Sequence, residues 1–137
     1  MEPTEGPAEG KIRLLLVDDE QGYVDVLANR LRKRNIDVTK AYSGNDAIQL
    51  VRNNDFDVAV LDLKMEDMSG VEVLRIFRKM LPSMAVIMLT GHGSEHAARE
   101  GIEGGAFDYL MKPCDLDELL GKIREAYETG GGPRNGG

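Results

Sequence analysis

The chain has 137 residues, of which 42% are hydrophobic and 30% charged, and its formal net charge is -7. That length suits one domain with one core and leaves no room for a second folded unit. The acidic balance repels nucleic acid phosphates and argues against direct nucleic acid binding. No apolar run reaches the length of a membrane span. Cys114 is the single cysteine, so no internal disulfide forms, as expected of a reducing compartment such as the cytoplasm.

Residues 1–10, MEPTEGPAEG, offer almost nothing to bury and lack the basic start and apolar run of a secretory signal. They are expected to form a disordered tail. Ile12–Val17 is a continuous apolar run, the pattern of a strand buried on both faces. Val24, Leu27, Ala28 and Leu31 then form a helical stripe. Ile36–Ala41 is shorter and more polar, as suits an edge strand. Ala47, Ile48 and Val51 form a second stripe, and Val58–Leu61 a second fully apolar strand. Val73, Leu74 and Phe77 form a third stripe. Met84–Leu89 is a third apolar strand, and Phe107–Met111 a second edge strand.

Ser43 with Asp46 and Ser69 with Glu72 fit capping boxes, and Asp115 with Glu118 a looser one. Pro113 precedes the last helix and Gly130 follows it. The segment 129–137, TGGGPRNGG, reads equally as a flexible tail or as a linker cut from a longer protein. Strand and helix alternate about five times, which predicts an α/β fold with a parallel sheet and helices on both faces. Ligands of such sheets bind beyond the carboxyl ends of the strands.

At those ends stand Asp18, Asp19 and Glu20 after the first strand, Asp62 after the third, Thr90 after the fourth and Lys112 after the fifth. Taken singly, each has an ordinary explanation: an acid after a strand often caps the next helix, a lysine is solvated, a threonine bonds to backbone. Taken together they are harder to explain so. Carboxylates gathered in one cleft repel one another, and a divalent cation offsets that cost. Magnesium prefers oxygen ligands and keeps several waters. Asp19 and Asp62 can each offer an oxygen, Asp18 can hold a metal-bound water, and a backbone carbonyl just past Asp62 can complete the set. A carboxylate beside such a metal can act as a nucleophile toward phosphorus, with the Lys112 ammonium and the Thr90 hydroxyl meeting phosphoryl oxygens.

The motifs LLLVDDE at 14–20, AYSGNDAI at 41–48, DVAVLDLKM at 57–65, VIMLTGHGS at 86–94 and GAFDYLMKP at 105–113 resemble a response-regulator receiver domain of two-component signalling, of the chemotaxis-regulator type. The resemblance spans residues 11–128. It implies a flavodoxin-like doubly wound sheet of order 2-1-3-4-5. It implies Asp62 as phosphoacceptor, Asp18 and Asp19 as the acidic pair at a magnesium or manganese ion, and the Lys64 carbonyl as a further ligand. Thr90 and Tyr109 become the switch pair, Lys112 the paired lysine, and Lys64 and His92 the residues that tune phosphoryl lifetime. The Lys112–Pro113 bond is expected to be cis.

The chain departs from the family where Glu66 stands in place of a frequent proline, so a more flexible loop is expected there. The implied partners are a sensor histidine kinase or phosphotransfer protein and an unidentified downstream target. Dimerisation on activation is a further expectation. No chemistry is implied beyond magnesium-dependent self-phosphorylation and self-dephosphorylation. The output face is expected on the fourth helix, fifth strand and fifth helix, and the LTGHGS segment resembles receivers attached to transcriptional effectors.

Two other readings compete. An aspartyl phosphatase of the haloacid-dehalogenase type needs an acid two residues after its nucleophile, where this chain has Lys64. A phosphorylation-independent module on the same fold usually lacks part of the acidic set or the lysine, and this chain has all of it. His92 and His96 lack a third ligand. The seven methionines read as core filling.

Overall fold

The computed structural model describes residues 11–91 and 95–130. Residues 1–10, the expected N-terminal tail, and 131–137, most of the segment 129–137 expected to be a tail or linker, lie outside the described residues, as does His92. Five strands alternate with five helices: β1 (Ile12–Val17), α1 (Gln21–Arg32), β2 (Ile36–Ala41), α2 (Gly44–Asn53), β3 (Val58–Asp62), α3 (Gly70–Met80), β4 (Ala85–Thr90), α4 (Glu95–Glu103), β5 (Asp108–Met111) and α5 (Leu116–Glu128). The strands form one sheet of order β2-β1-β3-β4-β5, and every neighbouring pair is parallel. This is the flavodoxin-like order, with the two more polar strands at the edges.

The long apolar runs follow from burial on both faces. Leu14 and Leu16 of β1, Val58 and Val60 of β3, and Ile87 and Leu89 of β4 pack beneath α1 and α5. Their alternating neighbours Leu15, Val17, Ala59, Leu61, Val86 and Met88 pack beneath α2, α3 and α4. The side-chain period of two sends successive residues into two separate cores, so neither face tolerates polar residues. The three helical stripes close these cores: Val24, Leu27, Ala28 and Leu31, then Ala47, Ile48 and Val51, then Val73, Leu74 and Phe77 are all buried.

The caps agree with the sequence in two of three cases. Ser43 Oγ accepts from the Asp46 N–H at 3.0 Å, and Ser69 Oγ from the Glu72 N–H at 3.2 Å. Asp115 is the N-cap of α5 but makes no side-chain cap bond. The core-filling role expected of the methionines holds for Met84 and Met88, which are fully buried, and not for Met111, which is 39% exposed on the edge strand β5.

Strand register brings the chemistry together. Val17 pairs with Leu61, so Asp18 and Asp62 occupy the next rung of the sheet, and Asp62 pairs with Leu89, one residue before Thr90. The loop after Asp62 turns back tightly: the Leu63 N–H donates to the Leu89 carbonyl, and the Gly70 N–H to the Leu63 carbonyl at 2.9 Å. Gly70 is required here by close approach. A Cβ added at this position would lie 2.5 Å from the Asp62 carbonyl oxygen and 2.7 Å from the Leu63 Cα. Backbone atoms cannot yield as a flexible side chain would. Gly70→Ala should therefore lower stability by about 2 kcal/mol, the usual cost of forced overpacking. It should also shift the Asp62 and Leu63 amide resonances, which urea denaturation and amide NMR spectra would measure.

Candidate functional site

Asp18, Asp19 and Asp62 form the one group among the described residues whose carboxylate oxygens converge, all within 4.8 Å of one another. Asp18 is fully buried and Asp62 nearly so. Asp18 is held on both oxygens: Oδ1 accepts from the Glu20 N–H at 3.0 Å and Oδ2 from the Lys112 ammonium at 2.9 Å. Lys112 Nζ also lies 3.3 Å from Glu20 Oε1 and 3.7 Å from Asp62 Oδ1. One cation thus serves three carboxylates. The Lys112–Pro113 peptide bond is cis.

This leaves the group short of positive charge. Burial, then the neighbouring Asp18 carboxylate, pushes the Asp62 pKa up to about 6; Lys112 and an amide hydrogen bond from Lys64 oppose that rise only in part. Burial alone would lower the Lys112 pKa, but the Asp18 hydrogen bond and the charge of Asp62 hold it well above the ordinary lysine value. The residues fit a hard divalent cation: three oxygen donors converge, no nitrogen or sulfur ligand stands among them, and an anionic carboxylate is held at a cost that added positive charge would relieve. A cleft of about 270 Å³ opens onto them, lined by Asp19, Glu20, Asp62, Lys64, Gly91 and Lys112. A cavity of about 620 Å³ lies at the opposite, amino-terminal edge of the strands around Arg13, Asp57 and Tyr127, away from this chemistry.

Thr90 is buried, and its hydroxyl donates to Met111 Sδ at 3.6 Å. It therefore faces β5. Tyr109, two residues before Met111, is 37% exposed. Three contacts escape sequence reading. The Tyr23 ring lies 4.7 Å beneath the Lys112 ammonium, a cation–π contact. Met111 accepts the Thr90 hydroxyl. The Asp67 carboxylate accepts from the Gly44 and Asn45 N–H groups at 3.1 and 2.9 Å, which ties the loop after Asp62 to the start of α2. An acid two residues before a capping serine is the only sequence signal for the last, and nothing in the pattern links Tyr23 to a lysine 89 positions away.

The loop around Glu66, expected to be flexible for want of proline, has defined anchors. Beside the Asp67 bonds, the Glu66 N–H donates to Asp19 Oδ2 at 2.9 Å. An amide donor that proline lacks supplies this contact.

The family model of the response regulator receiver domain matches residues 14–124. The transcriptional regulatory protein ZraR of Salmonella typhimurium is 36% identical over 125 residues, covering 88% of this chain and 28% of that protein. The transcriptional regulatory protein GlrR of Escherichia coli is 36% identical over 115 residues, covering 84% of this chain and 26% of that protein. Among solved structures, a CheY-like receiver domain from Methanospirillum hungatei superposes with a TM-score of 0.83 at 32% identity, covering 86% of this chain and 94% of that one. The Francisella response regulator 1452 receiver domain gives 0.80 at 31%, with coverages of 86% and 98%. The chain belongs to the response-regulator receiver domains of two-component systems. It is a phosphorylation-dependent switch, and membership implies a histidine kinase partner. The chain spans about a quarter of the length of the curated relatives it matches. No helix among the described residues is long and apolar enough to cross a membrane.

The raised pKa of Asp62 makes the stability of the fold depend on pH. Between the unfolded value near 3.8 and the folded value of about 6, the native state binds more protons than the unfolded chain. Stability from this group is full below pH 4 and is lost as pH rises through 6, by up to about 3 kcal/mol. In metal-free buffer Asp62→Asn should therefore be more stable than the parent by about 2 kcal/mol at pH 7.5 and equal to it below pH 4. Urea denaturation at the two pH values measures this.

Proposed function

We propose that Asp62 is the phosphoacceptor and that Asp18, Asp19, Asp62 and the Lys64 carbonyl hold a magnesium or manganese ion during transfer. The convergence of three carboxylates at the carboxyl edge of the sheet, two of them held by the one cationic side chain of Lys112, carries this reading. When bound, the divalent ion supplies positive charge and coordination sites for phosphoryl oxygens. A carboxylate oxygen of Asp62 attacks phosphorus as the bond to the leaving nitrogen of a phosphohistidine, or to the leaving oxygen of acetyl phosphate, breaks. Lys112, already at 3.7 Å from Asp62, moves onto a phosphoryl oxygen, and Asp18 and Glu20 keep it in place. The donor is a sensor histidine kinase or a phosphotransfer protein. No turnover of an external substrate is assigned beyond self-phosphorylation and self-dephosphorylation.

Thr90 and Tyr109 are the switch pair. On phosphorylation the Thr90 hydroxyl leaves Met111 for the phosphoryl group, and Tyr109 turns inward from its exposed position. The face of α4, β5 and α5 then changes its affinity for a downstream target or for a second copy of the chain. Moving such an equilibrium from mostly inactive to mostly active takes roughly 5 kcal/mol of differential interaction. Residues 11–128 form the receiver unit, and the cytoplasm is its place of action. Its relatives' names point to transcriptional control as the output of the whole protein, through parts outside this chain.

Acetyl phosphate with magnesium should label the chain at one site. Asp62→Asn should abolish the label, and Lys112→Ala should lower the labelling rate by at least tenfold; phosphate incorporation followed by mass spectrometry reads both, and labelling of Asp62→Asn at the parental level would sink the assignment. Exchanging Lys64 and His92 together should change the dephosphorylation rate and leave labelling intact. An unaltered decay of the labelled protein would remove these two residues from lifetime control.

A further inference from the structure

Of the three carboxylates, two are held by Lys112. Asp18 is also fixed by the Glu20 amide and Asp62 by the Lys64 amide. Asp19 is fixed differently. Its hydrogen bond comes from the Glu66 N–H, 2.9 Å from Oδ2, across 47 positions of sequence. The Glu66 side chain takes no part in this contact and is exposed. The next two residues of the loop hold the donor in turn. Asp67 accepts the first two free N–H groups of α2, and Met68 packs against Gly44 so closely that a Cβ there would clash. The loop is thus braced on α2 and presents one amide to Asp19.

We propose that the Glu66 backbone amide is a positioning group for the metal site. It restrains the rotamer of Asp19 by occupying one lone pair of Oδ2 and leaves the carboxylate's remaining lone pairs free for a cation. A carboxylate offers about four acceptor positions, so one amide bond does not block coordination. The amide also places a positive dipole end against the one member of the trio that Lys112 does not reach, which lowers the mutual repulsion of the metal-free cluster. A proline at this position has no N–H and could not do this. The inference rests on the reading of Asp18, Asp19 and Asp62 as a metal site.

The test is magnesium affinity, measured by isothermal titration of the full chain with magnesium alone. The parent is compared with Glu66→Pro, which deletes the donor, and with Glu66→Ala, which keeps the donor and deletes the side-chain charge. Glu66→Ala should bind within twofold of the parent. Glu66→Pro should bind roughly three- to tenfold more weakly, the net worth of one hydrogen bond. Circular dichroism melts establish that both variants are folded. Should the proline variant not fold, amide exchange in the metal-free parent decides the matter: Glu66 should exchange at least about tenfold more slowly than its intrinsic rate, as a bonded amide does. Parental affinity in Glu66→Pro, an equal loss in both variants, or unprotected exchange at Glu66 would each overturn the proposal. A parent chain that binds no magnesium would overturn the metal reading itself, whatever the variants do.

Discussion

Three carboxylates share one ammonium group at the carboxyl edge of the sheet, and much of the structure is organised around that imbalance. Asp18 is buried outright, yet both of its oxygens are hydrogen-bonded, which is the condition under which a buried charge is tolerated. Asp62 is less well served, and its raised pKa expresses the deficit. Lys112 is surrounded by Asp18, Glu20, Asp62 and the face of Tyr23, so its ammonium stays charged and closely placed. A group of this kind responds to added charge of either sign: a cation relieves it, and a phosphoryl dianion without one aggravates it. That double sensitivity is what a metal-dependent phosphorylation switch requires.

The fold supplies the stiffness on which this depends. Two apolar cores clamp the sheet from both sides, and the acidic residues sit at the end of β3 (Asp62) or one and two residues past the end of β1 (Asp18 and Asp19). Side chains on strand ends hold their positions better than side chains on free loops. Where a loop must contribute, it is braced: Gly70 lets the chain pass against the Asp62 carbonyl, and Asp67 fastens the segment to α2. On the other side of the site, Thr90 bonds to Met111, and Tyr109 lies on the same short edge strand. A change at Thr90 therefore meets β5 directly, with one methionine sulfur between the site and the surface of the sheet.

The elements are legible in the sequence because each has a period that physics imposes. Continuous apolar runs mark strands buried twice, and the stripes ending in Leu31, Val51 and Phe77 mark helices buried once. Asp18, Asp19, Asp62 and Lys112 are legible as a set because each follows such a run, and parallel strands end on the same edge. The cap expected at Asp115 forms no side-chain bond, since sequence spacing permits that bond without requiring it. Met111 does not fill the core as expected but lies on an exposed edge, because a short strand with one covered face does not announce which of its residues faces outward.

By itself the sequence determined the alternation of strands and helices, the two-sided burial of the central strands, and the identity of the chemical groups at their ends. These follow from composition and period, which are local properties of the chain. Tertiary structure alone decided which groups touch: Lys112 on Asp18, Glu20 and Tyr23, the Thr90 hydroxyl on Met111, and the Glu66 amide on Asp19. Those contacts join residues far apart in sequence, and the last is made by a backbone atom that every residue except proline carries. No side-chain pattern can encode it, so only the folded path of the loop reveals it.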